Sequence, residues 1–382
     1  MSFNRRIVAV AGGLLVAAAT SASAADFKLP STIAWTSYNV GTSTYNQAVA
    51  IGSALKNTAG VDLRIVPGKN DISRQLPVRQ GRIPFSSTGL GALYSQEAMY
   101  DFSSPRWGPQ EVRMIAMCVS DGHAAVITAK DAGIRKYSDL KGKRVTWVRG
   151  APSLNGTASA MLAFGGLTWK DVTKVEVPGF VAAMRAILNR QADAGTVIST
   201  SGFASQIEAS PRGVYWPPMP FSDKAAWNRL WKVAPWLIQQ KNPIGAGIPK
   251  NFDGVGLAYP YIITYPKTSD ELVYNMTKAI HVLYDKYKDG APGAKGYALD
   301  RQKFDYLMPW HKAAIRYYKE AGVWTDQMQA HNDKLLKRQQ VLVAAWKALV
   351  ASKIGDEDAF RAAWLKRRTA ALEKAGFDPI WH

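Results

Sequence analysis

Reactive and metal-binding residues are scarce in this 382-residue chain. It has one cysteine, Cys118, which rules out an internal disulfide, and only five histidines. None of the histidines has a neighbouring His, Cys or carboxylate at metal-ligand spacing. A Walker A loop, a G-x-S-x-G elbow and a paired-carboxylate motif are also lacking. These absences lower the expectation of catalysis, although an exported enzyme with an unrecognised site stays open.

Long hydrophobic runs are lacking too, except at the amino terminus. There Arg5 and Arg6 precede an apolar run over residues 7–19, and residues 22–24 (Ala-Ser-Ala) give a small-x-small cleavage pattern. An apolar core this short is typical of a secretory signal peptide and not of a membrane span. We therefore predict a signal peptide over residues 1–25 and export of the mature chain as a soluble protein.

Acidic residues are few, with 29 Asp and Glu against 48 Lys and Arg, so the formal net charge is +19. The predicted signal peptide contributes Arg5 and Arg6 and no acid, which leaves +17 (19 − 2) on the mature chain. A basic protein favours anionic partners. Export and the dispersed basic residues argue against nucleic acid. A small anionic ligand or an acidic partner surface fits better, and a generally solvated basic surface is the alternative.

Strand and helix patterns alternate in two separate regions, residues 33–89 and residues 131–254. Alternation of this kind predicts a parallel α/β sheet in each region. The apolar run 124–129 and the strand pattern 256–265 would carry the chain from the first unit to the second and back. Two such crossings predict two lobes that close by rotation about the crossover strands, with a ligand held between them.

Three loops rich in small polar residues each stand before a helical pattern. They cover residues 36–45, 82–89 and 150–157. A helix start has free N–H groups and a partial positive charge, so it suits an anion. The alternative for any one loop is a simple helix cap. Their threefold occurrence predicts three walls of one cleft for a small polar ligand.

The loops supply the predicted site residues. The first lobe is expected to contribute Ser37, Tyr38, Asn39, Gly41, Thr42, Ser43, Tyr45, Ser87 and Thr88. The opposing wall is expected to contain Ser153, Asn155, Gly156, Thr157, Ser199 and Thr200, with Tyr259 reaching in from the return crossover. Arg149 either pairs with a ligand carboxylate or bridges to an acid on the lobe surface. Phe180 either stacks on the ligand or packs in the core.

In this order, several segments resemble the TAXI-type solute receptors, the extracytoplasmic component of one class of TRAP transporters. The first is the Gly/Thr/Tyr-rich loop from Tyr38 to Tyr45. The others are residues 138–145, 151–157, 192–194, 272–279 and 311–322. The resemblance covers roughly residues 33–324. Residues 86–88 and 154–155 depart from the family pattern.

The resemblance implies a type 2 periplasmic binding fold, with two lobes joined by two crossover strands. It implies a periplasmic, monomeric receptor that captures a small anionic or zwitterionic solute, often a carboxylate or amino acid. The partner implied is a TRAP membrane permease, and neither catalysis nor a cofactor is implied. A receptor that presents its ligand to a membrane sensor kinase is the alternative.

The resulting division places lobe one at residues 26–126 and 255–325, and lobe two at residues 127–254. Residues 326–382 form a helical carboxyl-terminal extension. Within it, Val341, Leu342, Trp346 and Leu349 have helical spacing, which predicts packing back onto a lobe. The Trp-rich segment 215–251 either packs in the core or docks a partner.

Overall fold

The computed structural model describes residues 26–380. The predicted signal peptide lies outside the described residues. No helix within residues 26–380 is both long and apolar enough to cross a membrane.

The first sheet has five strands in the order β2-β1-β3-β12-β4. Its strands are β1 (Thr32–Tyr38), β2 (Asp62–Gly68), β3 (Phe85–Thr88), β4 (Arg113–Met117) and β12 (Tyr261–Thr264). Strands β1, β2 and β3 are parallel, whereas β12 runs antiparallel to both β3 and β4. The strand that returns from the other lobe is therefore inserted between β3 and β4.

The second sheet repeats this topology, with the order β7-β6-β8-β5-β9. Its strands are β5 (Ala124–Ala129), β6 (Arg144–Val148), β7 (Thr173–Val177), β8 (Ala194–Ile198) and β9 (Val214–Tyr215). Here β5, the first strand after the crossing, is inserted antiparallel to β8. A two-stranded ribbon of β10 (Ile238–Lys241) and β11 (Asp253–Gly256) projects from this lobe.

Helices cover both sheets. They are α1 (Ser43–Ala59), α2 (Asp71–Arg79), α3 (Leu90–Gln96), α4 (Pro152–Phe164), α5 (Phe180–Leu188), α6 (Gly202–Ala209), α7 (Lys224–Val233), α8 (Asp270–Val282), α9 (Tyr284–Tyr287), α10 (Lys312–Glu320), α11 (Asp326–Val350) and α12 (Glu357–Lys374). Local sequence fixes several of their starts. The Thr42 hydroxyl accepts from the Tyr45 N–H at the start of α1, and Asn70 and Ser73 form a capping box at the start of α2.

Two short segments, residues 118–123 and residues 257–260, connect the lobes. They are hydrogen-bonded to each other, because the Tyr259 N–H donates to the Cys118 carbonyl (2.7 Å) and the Cys118 N–H donates to the Pro260 carbonyl (2.8 Å). The strand pattern predicted over residues 256–265 is thus divided between β11, the crossing and β12. The predicted fold class, two α/β lobes joined by two crossings with a helical extension, is confirmed.

The carboxyl-terminal extension consists of α11 and α12 packed on each other and on lobe one. Its apolar core includes Leu342, Trp346, Trp364 and Ala98. At its centre the buried Glu97 carboxylate receives hydrogen bonds from Arg338 at 2.8 and 2.9 Å. The extension therefore packs onto lobe one, as its helical spacing predicts.

The Trp-rich segment contributes mainly to the core of lobe two. Trp216, Trp227 and Trp236 are 2%, 0% and 7% exposed. Trp227 packs edge-on against Phe164 of α4, with ring centroids 5.5 Å apart. Trp236 packs against Tyr94 of α3 in lobe one, with ring centroids 5.9 Å apart. Burial of these rings favours core packing over docking of a partner.

Candidate ligand-binding cleft

The two lobes face each other across a nearly closed cleft that contains two small adjoining cavities of about 50 and 30 Å³. These have room for only a few water-sized groups. Residues shared by both linings are Tyr38, Leu154, Val197, Ile198 and Tyr259. A wider groove of about 660 Å³ lies on the outer side of the seam, between Lys69 and Arg185, and is open to solvent. The two small cavities, whose lining residues are mostly buried, are the better candidate for a solute site, since a bound solute is usually buried on most of its surface.

Aromatic rings from both lobes meet at the cleft. Tyr38 at the end of β1 lies edge-on to Phe180 at the start of α5, with ring centroids 5.4 Å apart. Phe180 in turn contacts Phe203 of α6 at 5.4 Å. Phe180 is only 4% exposed and packs between Tyr38 and Phe203, and it also lines the smaller cavity, so contact with a solute stays a prediction.

A buried ion pair that the sequence did not single out lies beside the cavities. Arg74 and Asp71 have fully buried side chains, and Arg74 Nη2 lies 2.5 Å from Asp71 Oδ1. Arg74 Nη1 also donates to the Ser87 carbonyl (3.1 Å), and the guanidinium lies 3.9 Å from the centre of the Tyr38 ring. Burial opposes the charge on Arg74, but the Asp71 carboxylate outweighs it and raises the Arg74 pKa.

Hydrogen bonds between the lobes hold this closed arrangement together. The Ser153 N–H, in the first turn of α4, donates to Asp71 Oδ2 (2.9 Å), and the Asp71 N–H donates to the Gly150 carbonyl (3.0 Å). At the other end of the cleft, the Ser43 and Thr200 hydroxyls are 3.1 Å apart. Direct polar contacts between the two lobes therefore stabilise the closed state.

Several hydroxyls on the lobe-one side are buried without a hydrogen-bond partner within the described residues. Among them are Ser37 Oγ, Tyr38 OH and Thr88 Oγ1, on residues 0%, 3% and 1% exposed. Burial, followed by the nearby Asp71 carboxylate, raises the pKa of Tyr38, so its hydroxyl stays protonated and can donate. Buried polar groups are normally paired, and among these residues Tyr38 lines both cavities, so its hydroxyl is the one expected to meet a solute or water there.

The structure brings many of the predicted residues to the cleft. The residues that line the cavities are Tyr38, Thr42, Ser43, Ser153, Thr157 and Tyr259. Ser37, Ser87 and Thr88 are buried at the carboxyl ends of β1 and β3. Asn39 lines the outer groove, and Tyr45 is half-buried in the first turn of α1. The Gly41 carbonyl accepts the Gly202 N–H across the seam (3.1 Å).

The side chains of two predicted site residues, Asn155 and Ser199, are already hydrogen-bonded to backbone groups. The Asn155 amide bonds both the N–H and the carbonyl of Val148, each at 2.9 Å. The Ser199 hydroxyl donates to the Ile244 carbonyl (2.5 Å) and accepts the His123 N–H (2.8 Å). Their polar atoms are already paired, so they shape the wall without offering groups to a solute.

Arg149 is not at the cavities, which corrects the expected charge anchor. Its side chain is exposed, and β6 ends one residue earlier, at Val148. Because side chains alternate along a strand, Arg149 continues the face of β6 that carries Trp147. Trp147 is half-buried and packs against Trp169, with ring centroids 4.9 Å apart, so this face points away from the cleft. The buried cation near the cavities is Arg74.

Gly156 is a close-approach position between the lobes. A Cβ atom built on Gly156 of α4 would lie 2.5 Å from the hydroxyl of Tyr94, a residue of α3 that is 1% exposed. A side chain at this position would therefore require Tyr94 or α4 to shift when the lobes close.

We expect Gly156→Ala to favour the open state, because the added methyl group meets Tyr94 only when the lobes close. Overpacking of this kind costs about 1–3 kcal/mol, so exchange of the Ser153 N–H, which bonds Asp71, should accelerate about tenfold or more. Hydrogen exchange followed by mass spectrometry measures this. Gly355→Ala, with nothing within 4 Å of its Cβ, is the control. Unchanged Ser153 protection would show that closure tolerates the methyl group.

Two sheets of matching strand order, joined by two crossings around a cleft, define a type 2 periplasmic binding protein fold. The chain belongs to the NMT1-like family, whose model matches residues 105–322. This range includes Ser153, Phe180 and Tyr259. Tyr38 and the Asp71–Arg74 pair lie before it, outside the match. Within the described residues, no group of three or more His, Cys, Asp and Glu side chains could hold a metal ion.

Solved structures of solute-binding proteins are similar at low identity. The alkanesulfonate-binding protein SsuA from Xanthomonas axonopodis pv. citri, bound to MOPS, is 15% identical, with 82% of this chain and 95% of that chain covered and a TM-score of 0.46. An ancestral arginine-binding protein bound to arginine is 15% identical, with 71% and 98% covered and a TM-score of 0.40. A periplasmic binding protein of an ABC transporter from Brucella ovis, with glutathione bound, is 9% identical, with 68% and 70% covered and a TM-score of 0.43.

Proposed function

We propose that this protein is an extracytoplasmic receptor that captures a small solute between its lobes and delivers it to a membrane permease. The observation that carries the proposal is the enclosed cleft, where both lobes contribute lining residues and the buried Tyr38 hydroxyl lacks a partner within the described residues. Closure about residues 118–123 and 257–260 would bury the solute completely. Hydroxyls and rings at such a site bind well but are weak acids and bases near neutral pH.

The periplasm is the proposed location, because the predicted signal peptide directs export. The resemblance to TAXI-type receptors favours a TRAP-type permease as the partner, whereas the similar Brucella ovis protein belongs to an ABC transporter. Presentation of the solute to a membrane sensor kinase is the second candidate. The resemblance also implies a carboxylate or amino-acid-like solute. The buried Asp71–Arg74 pair lies beside the cavities and therefore affects whether a charged solute can bind there.

Tyr38→Phe separates solute binding from folding. Because the Tyr38 hydroxyl has no partner within the described residues, its loss should change the free energy of unfolding by less than about 0.5 kcal/mol. The same loss should weaken solute binding about tenfold, the effect of one buried hydrogen bond. Native mass spectrometry of the purified full chain would identify the retained solute, and calorimetry would measure its affinity.

Tyr215→Phe, a half-buried tyrosine of β9 outside the cleft, is the matched control and should bind as the wild type does. Equal affinity of the Tyr38 variant and the wild type would remove Tyr38 from the site. Conversion of the retained compound into a product by the purified chain would identify an enzyme and reject the receptor function.

A further inference from the structure

The Asp71 carboxylate occupies the position between the lobes that a solute's own carboxylate would be expected to take. One oxygen lies 2.5 Å from the Arg74 guanidinium of lobe one, and the other accepts the Ser153 N–H of lobe two at 2.9 Å. A guanidinium and the first turn of a helix are two of the commonest groups that hold an anion in proteins. Here both are already bound to a side chain of the protein itself.

No second cation is available to a solute in the enclosed cavities. Their linings contain no Lys, Arg or His among the described residues. The Arg74 charge is balanced by Asp71 within the same buried pair, so the net charge beside the cavities is close to zero. A solute anion placed here would lose its hydration without gaining a partner, which is strongly unfavourable.

The surface that remains open to a solute is mostly apolar. Leu90 and Leu257 add to the lining formed by Leu154, Val197 and Ile198. The polar groups within reach are hydroxyls, of which that of Tyr38 is unpaired within the described residues. This composition suits an apolar body that carries a hydrogen-bonding group.

We propose that the Asp71 side chain serves as an internal anion and that the solute of this cleft is an uncharged small molecule, with an apolar body and an oxygen or nitrogen that pairs with Tyr38. The proposal rests on the solute-binding function proposed above and replaces its carboxylate with a neutral ligand. Asp71 then provides the contact between the lobes that a charged solute provides by its own carboxylate. Solutes with a carboxylate or sulfonate are rejected because their place is taken.

Asp71→Ala tests this by emptying the anion position while leaving Arg74 and Ser153 in place. The probe is sodium formate, compared with sodium chloride at the same ionic strength, on the full chain without added solute. Formate should raise the thermal unfolding midpoint of the variant by about 2–4 °C at 100 mM, because it fills the vacated position. Wild type and Asp62→Ala, which removes an exposed acid paired with Lys56, should show no such difference.

Stabilisation of the wild type by formate would overturn the proposal, since it would show that an anion subsite is free alongside Asp71. A folded Asp71→Ala chain that responds equally to formate and chloride would also overturn it. If the variant does not fold, the wild-type measurement still decides. Neither result depends on whether a solute is retained in native mass spectrometry, so failure of the receptor function is recognised separately.

Discussion

The free energy of unfolding is expected to fall by up to about 4 kcal/mol for each pH unit between pH 6 and pH 4.5, because three histidines are buried in their neutral form. Burial lowers the pKa of His123 and of His281 to about 3. Burial also lowers the pKa of His311 to about 4, with Asp270 opposing the shift and Arg113 and Lys312 adding to it. Each group contributes about 1.4 kcal/mol per pH unit.

The sign follows from which state binds the protons. Below about pH 6.5 the unfolded histidines are protonated, whereas the folded ones stay neutral until their lower pKa values are reached. The unfolded chain therefore takes up more protons as the pH falls, and stability is lost. His123 illustrates the cause, since it is 0% exposed and its Nδ1 accepts the Val255 N–H between the rings of Trp216 and Phe252.

Urea unfolding at pH 7.5, 6.0 and 5.0 measures the effect. Carboxylates titrate mainly below pH 4.5, so this window isolates the histidines. His281→Gln keeps a polar group near Tyr318 OH, which His281 Nε2 contacts at 3.0 Å, and should reduce the slope by about one third. Constant stability from pH 7.5 to pH 5.0 would mean that the histidines are protonated in the folded chain.

Glu97→Gln should destabilise the protein by about 3–5 kcal/mol and release the carboxyl-terminal extension. Glu97 is 0% exposed and lies between the guanidinium groups of Arg338, at 2.8 Å, and Arg368, at 2.5 Å. Burial alone would raise the pKa of Glu97, but the two arginines outweigh it and lower the pKa. A neutral amide leaves both buried cations without their carboxylate.

Limited proteolysis at 25 °C and thermal unfolding measure the release of α11 and α12. Glu357→Gln is the matched control, because its ion pair with Arg361 is exposed and should be worth less than about 1 kcal/mol. A Glu97 variant that resists protease like the wild type would show that the apolar core around Ala98 and Trp364, with the hydrogen bond from Trp364 Nε1 to the Ala98 carbonyl, holds the extension without the charges.

The architecture of the lobes could be predicted because their strands and helices alternate with clear periods. The hydroxyl-rich loops likewise indicated the region of Tyr38, Ser43 and Tyr259, all of which line the cavities. Asp71 and Arg74 were missed, because charges three residues apart at a helix start usually lie on a solvated face. Tertiary contacts from both lobes bury them: Gly91 and Tyr38 of lobe one lie against the pair, and the Ser153 N–H of lobe two bonds Asp71.

In the sequence, the position of Arg149 at the end of a strand suggested a contact with the ligand that its exposed side chain does not support. A residue at a strand end contacts a ligand only if its side chain lies on the face of the strand that is turned to the cleft, and Arg149 shares its face with Trp147. Trp147 packs on the outer face with Lys174 above its ring. Such a choice between two faces of a strand is made by tertiary contacts and not by the local sequence.

The pairing of the two crossing segments limits how the lobes can move. Hydrogen bonds in both directions between Cys118 and residues 259–260 keep the segments from sliding past each other. We therefore expect the lobes to move mainly by rotation about these two segments, so that open states differ mainly in one angle. The Tyr259 ring lines the cavities and lies 2.7 Å from the position of a Cβ on Gly89. A solute that touches this ring acts directly on the rotation axis.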